Sequence, residues 1–143
     1  MPDEKPVLSH ETRLRVRYAE TDQMGVVYYA NYLVWMEVGR AEYCRASGVS
    51  YRDMEAGDGI LLAVVEAYCR YLRPARYDEE IAVQTRVANA SRRAVEFQYE
   101  ITHAQSGRKL ASGETKHVFV GPDMKPVKLP EKYSQLFGIV SAT

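Results

Sequence analysis

Cysteine is scarce in this chain: Cys44 and Cys69 are the only two. That is too few for a disulfide scaffold. The opening MPDEKPVLSH carries acids and two prolines where an export signal needs an apolar core. The two thiols are therefore expected to be reduced, in a cytoplasmic protein. No apolar run is long enough to cross a bilayer, so no membrane partner is expected. An excess of one charge is also lacking, because 19 Lys plus Arg balance 19 Asp plus Glu. Net charge leaves no footprint for a nucleic acid. Only His10, His103 and His117 carry imidazole, and no second ligand stands at metal spacing, so no metal site is expected. There is no G-x-S-x-G elbow and no glycine-rich loop ending in Lys-Ser or Lys-Thr, which removes the usual serine hydrolases and phosphate-loop enzymes.

What remains is one domain's worth of chain, 143 residues with 46% hydrophobic and 27% charged side chains. Those numbers describe a folded globular protein rather than a disordered one. The domain is expected to fill residues 1–143, with 1–10 a flexible N-terminus and 122–143 a C-terminal tail holding one short helical turn near Glu131 to Leu136. Thr12 to Tyr18 alternates, with Leu14, Val16 and Tyr18 on one side and Arg13, Arg15 and Arg17 on the other. That spacing predicts a half-buried strand. From Ala30 to Ser47 the period becomes helical, and Tyr32, Trp35, Met36, Gly39, Tyr43 and Ala46 share one arc. Gly48 is placed to end that helix, and Ser50 with Asp53 predicts a short second one.

Beyond it the pattern is strand-like. Ile60 to Tyr71 runs apolar up to a bend at Pro74. Ile81 to Val87 and Val95 to Ile101 alternate, and Gln105-Ser106-Gly107-Arg108 predicts a hairpin turn into a last strand, Lys109 to Val120. The order of strand, helix, then four strands predicts an α+β protein with an antiparallel sheet. The helix would cover one face, on which Val83, Phe97 and Tyr99 stand. The sheet edge and the leftover apolar surface favour self-association.

The stretch YAETDQMGVVYYANY, Tyr18 to Tyr32, connects the first strand to the helix. Acids in such loops usually cap a helix or face water, and Glu20 is read that way. Asp22 differs because Gly25 breaks the loop and Val26-Val27-Tyr28-Tyr29 is too apolar for an exposed turn. The helix that follows also starts there, with unpaired amides and a positive dipole end. A carboxylate beside such amides can attack or activate water while an amide stabilises an oxyanion. Cys44, inside the helix with no histidine near, is read as a small core residue, and His117 on its strand as structural or solvent-linked.

Tyr18-x-x-Thr21-Asp22-x-x-Gly25-x-Val27-Tyr28-Tyr29-x-Asn31-Tyr32, followed by Glu37 and Arg40, resembles the signature of the 4-hydroxybenzoyl-CoA thioesterase-like acyl-CoA thioesterases. The order of elements agrees from Leu14 to Tyr133. Tyr29 departs from the pattern where some relatives carry histidine. The resemblance implies the hotdog fold, an antiparallel sheet wrapped around a long helix. It implies a homo-oligomer, a dimer or a homotetramer made of two dimers, with active sites at subunit interfaces. It makes Asp22 the catalytic carboxylate, as nucleophile or general base, and gives the oxyanion to the backbone amide of Tyr29. Gly25 would let the loop approach the acyl group, with Val27 and Tyr28 also in the substrate-binding set. Arg92 and Arg93 correspond by position to basic residues that contact the nucleotide, and Arg73 and Arg76 are weaker candidates. Asn31, Glu37 and Arg40 are assigned structural roles, tying helix to loop or subunit to subunit. No cofactor is implied, since CoA is part of the substrate. Three alternatives stay open: thioesters of an acyl carrier protein, a dehydratase or hydratase of the same fold, and a non-catalytic acyl-CoA binding module. The hydratase is disfavoured because no histidine lies in the loop or helix.

Overall fold

The structure is a computed structural model and describes residues 8–139. Residues 1–7, in the expected flexible N-terminus, and 140–143, at the end of the expected tail, lie outside the described residues. Five strands, β1 (Ser9–Arg15), β2 (Leu61–Tyr71), β3 (Glu80–Ala90), β4 (Ala94–His103) and β5 (Lys109–Val120), form one sheet in the order β1-β3-β4-β5-β2. Every neighbouring pair is antiparallel. Helix α1 (Asn31–Ala46) lies against the sheet, and α2 (Tyr51–Asp58) follows it. This is the hotdog fold.

The alternation read from the sequence sets the sheet's two faces. Val83, Phe97 and Tyr99 are buried against α1, while Gln84, Glu96 and Gln98 turn away from it. From the helix come Tyr32, Trp35, Met36, Gly39 and Tyr43, all buried. Ala46, expected on that arc, is exposed, and Cys44 is buried in its place. The last turn of α1 thus presents position 44 rather than 46 to the core. Gly48 stands at φ +94° just past the helix, and the Val49 amide returns to the Cys44 carbonyl at 3.0 Å. Ser50 Oγ accepts from the Asp53 amide at 3.1 Å, the predicted cap of α2.

Two glycines bring α1 very close to the sheet. A Cβ on Gly39 would lie 2.5 Å from Thr85 Oγ1 and 2.9 Å from Val83 Cγ1. A Cβ on Gly113 of β5 would lie 2.2 Å from Met36 Cε and 2.7 Å from the Tyr68 carbonyl oxygen. Both positions exclude any side chain beyond hydrogen.

Both ends of β1 differ from expectation. Strand β1 begins at Ser9, with His10 opposite Thr85, so the ordered sheet reaches into the stretch expected to be flexible. It ends at Arg15, and Tyr18 opens a 3-10 turn, Tyr18–Glu20. Tyr18 is therefore 76% exposed instead of packed, its ring edge-on to Tyr77. In the C-terminal tail the expected helical turn is present. Its 3-10 turn Glu131–Phe137 buries Leu136 and Phe137, and Phe137 packs against Phe97 and Phe119. Burying one such ring contributes about 2 to 3 kcal/mol.

Candidate active site

The Tyr18–Tyr32 connection folds as a small hairpin laid on the segment that follows β2. The Asp22 amide donates to the Val26 carbonyl at 2.9 Å, and the Gly25 amide returns to the Asp22 carbonyl at 3.0 Å. Gly25 sits at φ +79° with open space where a Cβ would be. Its hydrogen side chain is therefore required by the backbone turn of this chain, not by a close neighbour. Val27 then donates to the Ala75 carbonyl at 2.9 Å, and Val26 bridges to Arg76. The loop is thus pinned to the chain beyond Pro74.

A cavity of about 330 Å³ opens between this hairpin and the end of β2. Asp22, Val27 and Tyr29 line it from the loop, and Tyr71 and Arg73 line it from the other side. Tyr32 forms the buried floor, with its hydroxyl accepting from the Ala75 amide at 3.2 Å. Burial raises the Tyr32 phenol above its ordinary pKa, and burial with the neighbouring Cys69 does the same for Tyr71. Both hydroxyls keep their protons at neutral pH.

Asp22 Oδ1 accepts from the Met24 amide at 2.8 Å. Oδ2 accepts no hydrogen bond from the described residues. The turn that follows starts α1 without a side-chain cap. The amides of Asn31, Tyr32 and Leu33 donate to the carbonyls of Tyr28, Tyr29 and Ala30, whereas the Tyr29 and Ala30 amides donate to none of the described residues. A half-occupied carboxylate and a residue with an unclaimed N–H therefore line one cavity. Such a pair can supply a nucleophile or base together with an oxyanion donor.

The other candidates divide. Tyr28 lies outside the lining and packs its ring on that of Tyr29, centroids 4.7 Å apart and planes tilted by 51°. Arg92 and Arg93 occupy the β3–β4 turn, at the end of the sheet where β4 begins opposite Val118. The cavity lies beyond the other end, where Tyr71 pairs with Ala111 and Ala111 with Ile101. Strand β4 alone spans about 30 Å at 3.3 Å per residue. One chain does not bring these arginines to Asp22. Arg92 Nε instead donates to the Leu129 carbonyl at 2.8 Å. Arg73, ranked below them in sequence, is the cation at the cavity. Asn31 does tie helix to loop, through Nδ2 to the Glu20 carbonyl at 2.9 Å, whereas Arg40 reaches the sheet at Tyr99.

Glu20 corrects the sequence reading. It is 6% exposed, neither facing water nor capping α1. Its Oε1 accepts from the Arg17 amide at 2.8 Å and its Oε2 from Trp35 Nε1 at 2.9 Å. A signal for this was present, since a buried indole N–H needs an acceptor and Trp35 is the only tryptophan. Cys44 is a core residue as expected, with burial pushing its thiol up to about 12.

Residues 16–137 match the family model described as the thioesterase-like superfamily. The chain is 37% identical over 121 residues to Bacillus subtilis YneP, provisionally named an acyl-CoA thioesterase, covering 84% of this chain and 86% of that one. Among solved structures, the DHNA-CoA thioesterase from Staphylococcus aureus is 36% identical, covering 84% of this chain and 80% of that one with a TM-score of 0.80. The 4-hydroxybenzoyl-CoA thioesterase from Pseudomonas sp. strain CBS-3, at 20% identity, shares the fold with a TM-score of 0.82 over 91% of this chain and 99% of that one. With the family match spanning all but the two ends of the chain, this protein belongs to the thioesterase-like superfamily.

Proposed function

We propose that this protein is a thioester hydrolase that cleaves acyl-CoA to a free acid and CoA. The observation that carries the reading is the cavity shared by Asp22, with its unbonded Oδ2, and Tyr29, with its unbonded amide. Asp22 attacks the thioester carbonyl directly, or takes a proton from the water that does. The Tyr29 amide holds the oxyanion that forms. Collapse of the tetrahedral species expels the CoA thiolate; where Asp22 itself attacked, it leaves an acyl–Asp22 anhydride that water then cleaves, and by either route one water supplies the hydroxyl of the acid and the proton of the thiol. A thioester has less resonance stabilisation than an amide, and its thiol leaving group is a weak base, so no general acid is needed at the sulfur. The oxyanion donor is worth about 10²- to 10³-fold and the carboxylate a similar factor as base.

The substrate site is proposed to be completed by self-association into a dimer or a pair of dimers. Edge strand β2 carries Val64 and Val65, each about half exposed at 52% and 51%. Arg92 and Arg93 would meet the CoA phosphates only across such an interface. The proposed compartment is the cytoplasm, consistent with two free thiols; no described helix is long and apolar enough to cross a membrane.

The test is thiol release from aryl, short, medium and long acyl-CoAs by the wild-type protein and by Asp22→Asn. Asparagine can still accept from the Met24 amide, so the loop is retained while the anionic oxygen is lost. Release by the wild type, with kcat of the variant down by about 10² or more, is expected. No release from any acyl-CoA, or full activity in a folded Asp22→Asn protein, overturns the reading.

A further inference from the structure

We infer that Tyr71 is a positioning residue for the oxyanion site, holding the Tyr29 backbone through its phenolic hydroxyl. This inference rests on the proposed thioester hydrolysis. Tyr71 Oη donates to the Tyr29 carbonyl at 2.8 Å across 42 residues of chain. Its ring meets the Tyr29 ring edge-on at 6.3 Å and the Tyr32 ring edge-on at 5.0 Å.

The turn before α1 has few other anchors. The Tyr28 amide donates to the Glu20 carbonyl at 2.8 Å, and the Tyr28 carbonyl accepts from the Asn31 amide at 2.9 Å. Only the second of these bonds touches the peptide that carries the Tyr29 N–H, and it holds that peptide from the Tyr28 side alone. On the far side of Tyr29, its carbonyl accepts from the Tyr32 amide at a longer 3.3 Å and from Tyr71. Among the described residues Tyr71 supplies the one side-chain hydrogen bond to the Tyr29 backbone, and it comes from the sheet. It stands on β2 opposite Ala111, a site fixed by ladder hydrogen bonds. A rigid strand thereby sets the torsions of a residue whose amide must point at a developing charge. An oxyanion donor works only where it is preorganised, and a small rotation of the peptide forfeits its effect. With its hydroxyl committed to the Tyr29 carbonyl, Tyr71 acts through that backbone.

Tyr71→Phe removes the hydroxyl and keeps the ring, so the aromatic contacts survive. The consequence for turnover is a kcat lower by about ten- to a hundredfold, with kcat/KM falling in parallel and KM within about twofold. A residue that merely shaped the cavity would instead raise KM. The second readout needs no turnover: amide-proton exchange at Asn31 and Tyr32, whose N–H groups donate to the Tyr28 and Tyr29 carbonyls, followed by NMR in the full chain, should quicken at least about tenfold in the variant. Unchanged kcat in Tyr71→Phe, or unchanged exchange at both amides, overturns the inference. If the wild type hydrolyses no thioester, the proposed function is what fails, and faster exchange in the variant still upholds the clamp on Tyr29.

Discussion

Trp35 Nε1 donates to Glu20 Oε2 at 2.9 Å, and the other oxygen of the same carboxylate accepts from the Arg17 amide at 2.8 Å. One buried acid thus joins the end of the first strand segment to the second turn of α1. The backbone carbonyl of Glu20 extends the joint, accepting from the Tyr28 amide and from Asn31 Nδ2. The hairpin that carries Asp22 hangs between these points.

A glutamine at position 20 cannot serve both donors, because one of its two terminal atoms is itself a donor. Glu20→Gln is expected to cost about 1 to 3 kcal/mol in urea unfolding. A double-mutant cycle with Trp35→Phe should return a coupling of about 1 kcal/mol or more. Additive losses in the two single variants would show that the bond contributes nothing of its own.

Gly39→Ala sets two effects against each other. Alanine gains about 1 kcal/mol of helix propensity over glycine. Its Cβ, however, would sit 2.5 Å from Thr85 Oγ1 and 2.9 Å from Val83 Cγ1, far inside contact. Overpacking of this kind costs about 1 to 3 kcal/mol or more, so the clash wins. A lowered Tm is expected, and a raised one would mean that α1 can lift from β3 without penalty.

His117 should make the fold acid-sensitive. Its ring is buried, and loss of hydration, aided by the charge of Arg40, lowers its pKa to about 3. In the unfolded chain the value is about 6.5. Between those limits the unfolded state binds a proton that the folded state refuses, so stability falls as the pH drops through that window. By pH 4.5 the loss is about 2 to 3 kcal/mol. Unfolding free energies measured from pH 7 to 4.5 should therefore fall more steeply in the wild type than in His117→Gln. Parallel slopes would exclude the imidazole as the cause.

Arg73 is exposed at the cavity. If it meets the phosphates of CoA, Arg73→Ala should raise KM for acyl-CoA about fivefold, the effect of about 1 kcal/mol from an exposed ion pair. The same acyl group on N-acetylcysteamine, which lacks the nucleotide, should show no change. An equal effect on both thioesters would assign Arg73 to the acyl end instead.

The fold was largely legible because its signals are periodic and local. Alternation marks β3 and β4, a helical arc marks α1, and Ser50 with Asp53 caps α2 within one turn of chain. Tyr18 misled because period-two spacing continues past Arg15, where the pairing with Glu80 ends and no partner strand remains to define a face. The site was legible only in part. Asp22 and Tyr29 sit on one short loop and come with their own turn chemistry. Glu20 looked like a solvated acid because its indole donor lies 15 residues away. Tyr71 and Arg73 reach the cavity only through the tertiary path of β2, which no local pattern records. For Arg92 and Arg93 the sequence supplied basic residues near a turn, but not the end of the sheet on which that turn lies.

The contact of Met36 with Gly113 lies one helical turn beyond Tyr32, the buried floor of the cavity. Helix and sheet touch there with no room for an added methyl, and they touch again at Gly39. Making room at that seam means separating α1 from β5 and then from β3, so any added volume there is opposed by the folding free energy of the core itself.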